Sequence, residues 1–350
     1  MPTLAAVTHE LEQLAPLRLA ADWDAVGLLV GGRRDRVERV MTCLTLTDRV
    51  AAEAVAERAD LVVVHHPIPF RPIARITTAT GTGRVLLALI ESGASIWSPH
   101  TAWDSAAGGI NDQLAALLDL DRVTPLEPAA DLPLAGFGRA GTAAAGVTVY
   151  VASYRLPGDG WAAGPAVALQ DAQRALRLVR ARAAARGHDP RRVGVMGFSA
   201  GGHVAGCLGL MWDRPTYAAV DDNDRLSARP DSAVVVYPVA TMSPPFAHPG
   251  SRERMFGPSP TPELERAWSL EANARPDAPP TFLLHAADDA AVPVENSLRL
   301  ASALRAAKVA TELHLFEEGG HGFGLRFAKG RPVEAWPDLV LAWWKRKGFV

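Results

Sequence analysis

The chain has 350 residues, with 36 basic against 38 acidic side chains and a formal net charge of −2. No global basic field is present to attract nucleic acid or an anionic membrane surface. Hydrophobic content is 48%, and no uncharged apolar run approaches the ~18 residues that a spanning helix needs, so collagen-like, disordered and transmembrane classes are excluded. At roughly 100–200 residues per domain, two domains are expected.

The opening segment, MPTLAAVTHELEQLAPLRLAADWD, places Glu10 and Glu12 where a secretory leader would carry its apolar stretch, so a cytoplasmic location is expected. Cys43 and Cys207 stand far apart and outside any CxxC pair, which predicts two buried thiols. From residue 1 to about 120, periodicity predicts helices near 5–16, 49–58, 84–92 and 111–118. It predicts strands near 37–46, 60–64 and 94–97. That alternation argues for α/β layering. Residues 124–146, rich in Pro, Gly and Ala, lack clear periodicity and form the candidate boundary. GFGRAG at 136–141 has the spacing of a dinucleotide loop, yet it follows a Pro-rich stretch and precedes no helix, so the reading is not adopted. Beyond it come a strand at 147–153, a helix at 165–186, strands at 192–197, 232–239, 281–285 and 311–316, and a last helix at 333–345. Connections of this length suit crossover helices, so the second half reads as a mostly parallel sheet.

The strongest chemical signal is GFSAGG at 197–202, between the strand RRVGVM and the small-residue helix that begins at Ala200. G-x-S-x-G in a strand–turn–helix setting is a nucleophile elbow, which presents Ser199 at a helix N-terminus. Serine needs a base oriented by a carboxylate, and in this setting the partners follow in the order Ser, Asp, His. Asp288 and Asp289 follow the strand TFLLHA, and His321 follows the strand TELHLF. Asp289 is preferred over Asp288 because it precedes Pro293 by four residues. His203 is expected to pack beside the elbow, and His285 and His314 to be satisfied groups on or near strands.

Residues from about 144 onward resemble the α/β-hydrolase superfamily, above all its acetyl-esterase and acetylxylan-esterase-like members. The resemblance runs through YRLPGDG, DAQRALRLVRAR, GVMGFSAGGH, HAADDAAVPVENS and EEGGHGFG. It implies that Ser199 attacks an ester carbonyl, His321 accepts and returns the proton, Asp289 orients His321, and the Ala200 amide donates to the oxyanion. No cofactor is implied for that chemistry. The family's HGGG or PGGG-type loop, which supplies a second oxyanion donor, is absent before Val147, and the strand 147–153 is left as an unpaired edge unless the first half covers it.

The first half carries ADLVVVHHP, an apolar strand ending in His65 and His66, and HTAWD, with His100 and Asp104. Imidazole with carboxylate suits zinc, manganese or iron. Successive strand residues face opposite ways, so one metal takes both histidines only if Pro67 breaks the strand, or else two metals are held. Residues 1–141 resemble the dinuclear-metal family of GTP cyclohydrolase 1 type 2 homologues, through APLRLAADWDAVGLLVG, ADLVVVHHPIPF, SPHTAWDSAAGGINDQLA and GFGRAG. The resemblance implies that His65, His66 and Asp104 are ligands of a divalent metal, with His100 a further ligand or a support for one, and that the module forms homo-oligomers. The family's H-x-x-x-E pair is lacking, since Leu325 stands four residues after His321; His314 and Glu318 have the spacing but lie within the hydrolase-like part.

The sequence thus reads as α/β throughout, in two incomplete modules. A metal-binding α/β half-domain at 1–141 is fused to an α/β-hydrolase sheet lacking its first strands at 142–350. The expected function is a serine-dependent hydrolase of a small-molecule carboxylic ester, acetylated carbohydrate included, with no nucleic-acid or membrane partner. The alternatives are a metal-dependent hydrolase or assembly module in the first half, and a fusion product in which neither site operates.

Overall fold

Strands that carry an unbroken apolar run can be covered on both faces, and LVVV at 61–64 and AVVV at 233–236 are runs of this kind. The computed structural model describes residues 1–117, 119–142 and 147–350. They divide into two units, Met1–Ser153 and Tyr154–Val350.

The first unit contains helix α1 (Leu4–Leu14), strand β1 (Gly27–Val30), β2 (Val40–Thr45), α2 (Asp48–Ala56), β3 (Leu61–His66) and α3 (Gly81–Ser92). It continues with β4 (Ser95–Ser98), α4 (His100–Ser105), α5 (Ile110–Leu117), β5 (Asp121–Ala129), β6 (Leu132–Thr142) and β7 (Thr148–Val151). One sheet has the order β1-β4-β3-β2, with β2, β3 and β4 parallel and β1 antiparallel to β4. Val62 and Val64 of β3 pack on one face with Val85, Leu86 and Leu89 of α3. Leu61 and Val63 face the other way, where Leu4, Val7 and Leu11 of α1 cover them. The helices start on side-chain caps: Thr3, Thr47 and Thr80 each accept from a backbone N–H in the first turn.

The expected structureless boundary is instead an antiparallel sheet of order β5-β6-β7. Residues 143–146, the end of that stretch, lie outside the described residues, as does Leu118 at the end of the predicted helix 111–118. The Pro and Gly content hid these strands. Pro125 and Pro128 sit on β5, an edge strand, where a missing N–H is tolerated. Gly136 has φ +142°, and a Cβ there would come within 2.0 Å of the Glu127 carbonyl oxygen. The segment 147–153, expected to open the hydrolase sheet, pairs as β7 with β6.

GFGRAG therefore belongs to a strand, and its arginine is structural. Arg139 is only 1% exposed. Its guanidinium donates to the carbonyls of Gly136 (2.9 Å), Gly138 (2.7 Å) and Ala106 (2.8 Å), and to both oxygens of Asp112 on α5.

The second unit contains α6 (Val167–Ala183), β8 (Gly194–Phe198), α7 (Ala200–Leu210), β9 (Ser232–Val236), α8 (Pro249–Phe256) and α9 (Pro262–Trp268). After these come β10 (Thr281–Ala286), α10 (Glu295–Ala306), β11 (Thr311–Phe316) and α11 (Trp336–Arg346). Its sheet is parallel, in the order β11-β10-β9-β8. Ala233, Val235 and Leu283 point to one face, against Leu169 and Leu176 of α6, Leu208 of α7 and Leu300 and Leu304 of α10. Val234, Val236, Phe282 and Leu284 point to the other, against Trp336, Val340 and Trp343 of α11. Among the described residues β8 pairs with β9 alone, so the open edge predicted for residues 147–153 falls on the nucleophile strand. Of the two cysteines, Cys207 is buried as expected and Cys43 only half-buried. No helix among the described residues is long and apolar enough to cross a membrane.

Removing one partner of a buried ion pair strands the other and costs about 3–5 kcal/mol; the partial exposure of Asp112 reduces this to about 2–4 kcal/mol for Arg139→Met. Hydrogen exchange on the full chain should show β5 and β6 amides losing protection while β8 to β11 keep theirs; equal protection in variant and wild type would refute this role for Arg139.

Candidate functional site

The second unit assembles its polar groups at the C-terminal ends of β8, β10 and β11. Ser199 follows β8 with φ 54° and ψ −119°, a conformation rare for a residue with a side chain. The turn is held by hydrogen bonds from the Ser199 N–H to the Val236 carbonyl (3.0 Å) and from the Val239 N–H to the Ser199 carbonyl (3.1 Å). Gly197 is obligatory here, because a Cβ would lie 2.1 Å from the Gly201 carbonyl oxygen. Ser199 is the N-cap residue of α7 without a side-chain capping hydrogen bond, which leaves its hydroxyl to His321, and the first amides of a helix, that of Ala200 included, have no intrahelical partner.

Ser199 Oγ lies 2.7 Å from His321 Nε2, and His321 Nδ1 lies 2.7 Å from Asp289 Oδ2. A carboxylate can only accept, so Nδ1 carries the proton and Nε2 is free to accept from the serine hydroxyl. Tyr237 brings its ring to 5.0 Å from that of His321 and packs edge-on against Phe323. Burial pushes the Tyr237 hydroxyl up to about 12, so it stays neutral.

Asp289 is buried, and both of its oxygens are engaged. Oδ1 accepts from the Ala291 and Val292 amides at 2.9 and 2.8 Å. Oδ2 accepts from His321 and faces His285 Nε2 at 3.2 Å. Burial acts to raise its pKa, but the hydrogen bonds from His285, His321 and Val292 outweigh it and hold the carboxyl well below the usual range. Asp288 points elsewhere and accepts from the Gly320 amide at 2.7 Å. Of the two aspartates, Asp289 is the one whose carboxylate meets His321. His203 donates from Nδ1 to the Val239 carbonyl at 2.9 Å and packs beside the elbow, as expected; burial lowers its pKa to about 4. His314 pairs with Glu312 at 2.8 Å on β11 and stacks on Phe282.

The first unit gathers its own histidines where β3 and β4 end. The ring of His65 is 5.1 Å from that of His66 and 5.3 Å from that of His100, and His66 and His100 are 6.0 Å apart. His65 Nε2 is 3.6 Å from Asp104 Oδ1. His66 Nδ1 meets Thr45 Oγ1 at 2.7 Å. His100 Nδ1 donates to Asp24 at 2.8 Å, and Asp24 also accepts from the Thr101 amide and hydroxyl. Burial pushes Asp24 up, yet the His100 and Thr101 hydrogen bonds hold it below its ordinary value. Asp24 lies within APLRLAADWDAVGLLVG, and a carboxylate alone in a loop gives no local signal of its partner 76 residues on.

Burial, with the charges of His66 and His100, lowers His65 to about 4. Burial raises Asp104 to about 6, reinforced by the Asp24 charge and opposed by His100. A neutral imidazole faces that carboxyl at neutral pH, so the contact at 3.6 Å is no ion pair. His65 Nδ1 is buried without a hydrogen-bond partner. The sequence-predicted ligands are thus neighbours, but among the described residues no group of three or more His, Cys, Asp or Glu is arranged to hold a metal ion. As placed, these side chains do not complete a metal site.

The chain resembles known proteins in two parts. The family described as Duf34/NIF3 (NGG1p interacting factor 3) matches residues 2–197, and BD-FAE matches residues 137–304, a span that contains Ser199 and Asp289 and stops before His321. NIF3-like protein 1 of Drosophila melanogaster is 39% identical over 131 residues, covering 37% of this chain and 45% of that protein. A GTP cyclohydrolase 1 type 2 homolog of Clostridium perfringens is 35% identical over 133 residues, 38% of this chain and 51% of that protein. The chain therefore spans about half the length of these curated relatives. The crystal structure of an acetyl ester-xyloside bifunctional hydrolase from Caldicellulosiruptor lactoaceticus superposes with a TM-score of 0.54 at 40% identity, covering 59% of this chain and 74% of that one. The α/β-hydrolase expectation for the second half and the cyclohydrolase-homologue expectation for the first are both borne out. The chain belongs to the Duf34/NIF3 family, and its residues 137–304 match the BD-FAE model.

Proposed function

We propose that the second unit is a serine esterase for small carboxylic esters, acetylated carbohydrate among them, carried in one chain with the Duf34/NIF3 module. The observation that carries this reading is the unbroken line of hydrogen bonds from Ser199 through His321 to Asp289, each 2.7 Å long. Similarity to the acetyl ester-xyloside bifunctional hydrolase of Caldicellulosiruptor lactoaceticus supports acetyl esters as the substrate class.

Ser199 Oγ attacks the ester carbonyl while its proton passes to His321 Nε2. The Ala200 amide donates to the oxyanion at the N-terminus of α7, where the helix dipole favours negative charge. Collapse of the intermediate expels the alkoxide, which takes the proton back from His321 and leaves an acyl-serine. Water, deprotonated by His321, then releases the carboxylic acid and restores the hydroxyl. Asp289 keeps His321 in the tautomer that this sequence needs. Because the glycine-rich oxyanion loop of the resembling family is lacking, turnover should be about 10²–10³ below that of an enzyme with both donors.

Purified full-length chain should hydrolyse p-nitrophenyl acetate above buffer background, and Ser199→Ala should return to background. Equal rates for the two proteins would sink the esterase reading. Asp289→Asn, which loses the carboxylate that fixes the His321 tautomer, should lower kcat by about 10⁴-fold; steady-state kinetics showing less than a tenfold loss would contradict that role.

A second reading concerns the first unit, which we propose binds a divalent metal of the zinc, manganese or iron class. It is favoured by the buried, unpartnered Nδ1 of His65 beside His66, His100 and Asp104. Metal analysis after reconstitution and dialysis should find bound metal, reduced in Asp104→Asn. The same substitution removes a carboxyl that burial disfavours once ionised, so it should raise the melting temperature of the metal-free chain at pH 7. Unchanged metal content together with a lowered melting temperature would reject this reading.

A further inference from the structure

The esterase reading leaves one buried histidine of the second unit unassigned. His285 has no solvent exposure. It lies on β10 with the same parity as Leu283, so it faces α10, and its Nδ1 is 2.8 Å from Ser297 Oγ on that helix. Its Nε2 is 3.0 Å from the Val292 carbonyl and 3.2 Å from Asp289 Oδ2. Both of those oxygens only accept, so Nε2 carries a proton directed at them, and Ser297 Oγ is the partner of Nδ1.

We infer that His285 is a positioning residue for the proposed triad, holding the Asp289 oxygen that orients His321 from the side opposite His321. The inference rests on the esterase reading for its consequence and on geometry for its content. Burying an imidazole is costly unless both nitrogens are partnered, and here the carboxylate of the site lies beside one of them. Oδ1 of Asp289 accepts from the Ala291 and Val292 amides and Oδ2 from His321, while the His285 Nε2–H, which donates to the Val292 carbonyl, lies 3.2 Å from Oδ2 and presents its positive end to that oxygen. Such a carboxylate cannot turn without breaking hydrogen bonds, and it is a weaker base than one with fewer donors. Removing the His285 donor leaves Oδ2 more basic. It then stabilises the protonated form of His321 more strongly, so the ionisation of His321 must move upward in pH.

The other ionisable groups near this pair are Tyr237, whose ring faces His321; His248, which interacts with His321 and Asp289; and Asp288 with Arg331 on the Gly320 loop. All remain in place when His285 or Ser297 is changed.

The test is an NMR titration of the His321 ring in the full chain, a measurement that requires no substrate. His285→Leu is expected to raise the His321 midpoint by about half a pH unit or more, and His285→Gln, whose side-chain amide can donate where Nε2–H did, to bring most of it back. A folded His285→Leu protein with the wild-type midpoint overturns the inference. Should circular dichroism show His285→Leu unfolded, Ser297→Ala takes its place under the same criterion, because it removes the partner of His285 Nδ1. Where ester turnover is measurable, the acid limb of kcat/KM should shift with the midpoint and KM should stay constant. A wild-type chain without Ser199-dependent turnover counts against the esterase reading alone, since the ring titration stands independently of it.

Discussion

Everything at the candidate esterase site depends on the parallel register of β8, β9, β10 and β11. In a parallel sheet all C-terminal ends lie on one side, so segments far apart in the chain leave their strands as neighbours. Ser199, Asp289 and His321 come from the ends of β8, β10 and β11, and that alignment allows hydrogen bonds of 2.7 Å between residues 122 and 32 positions apart. The apolar covering on both faces, with α6, α7 and α10 on one and α11 on the other, holds the register against slippage.

The two units treat buried carboxylates in opposite ways. Asp289 is out of water, but both oxygens accept hydrogen bonds, and the group stays ionised. Asp104 is also buried, yet it faces a neutral imidazole at 3.6 Å, and its pKa rises to about 6. A satisfied carboxylate is a finished part of a fixed site; an unsatisfied one costs free energy unless a further group joins it. That contrast separates a Ser199, His321 and Asp289 arrangement joined by hydrogen bonds within this chain from a cluster of ligand-type side chains that, as placed, does not close on a metal.

Ser199, Asp289 and His321 were readable as candidates because each carries a local signature: glycines around Ser199, Pro293 four residues after Asp289, and glycines on both sides of His321. Most helices and strands were readable for a similar reason, as their burial follows a regular period. Arg139, Asp24 and His285 were not. Each acts through a partner distant in sequence, Asp112, His100 or Ser297, and none alters the local pattern. The strands β5 and β6 were missed because proline and glycine mark turns in most chains, whereas here they sit on an edge strand and where two backbones approach closely.

By itself, the sequence determined the α/β character of both parts, the identity and order of Ser199, Asp289 and His321, and the residues clustered around His65. These follow from periodicity and from residue chemistry, which are properties of short segments. Tertiary structure decided which oxygen of Asp289 each histidine shares, that β7 joins β6, and that the histidines of the first unit approach one another without forming a metal cage. Those outcomes depend on distances of a few tenths of an ångström between segments far apart in the chain, and only packing sets such distances.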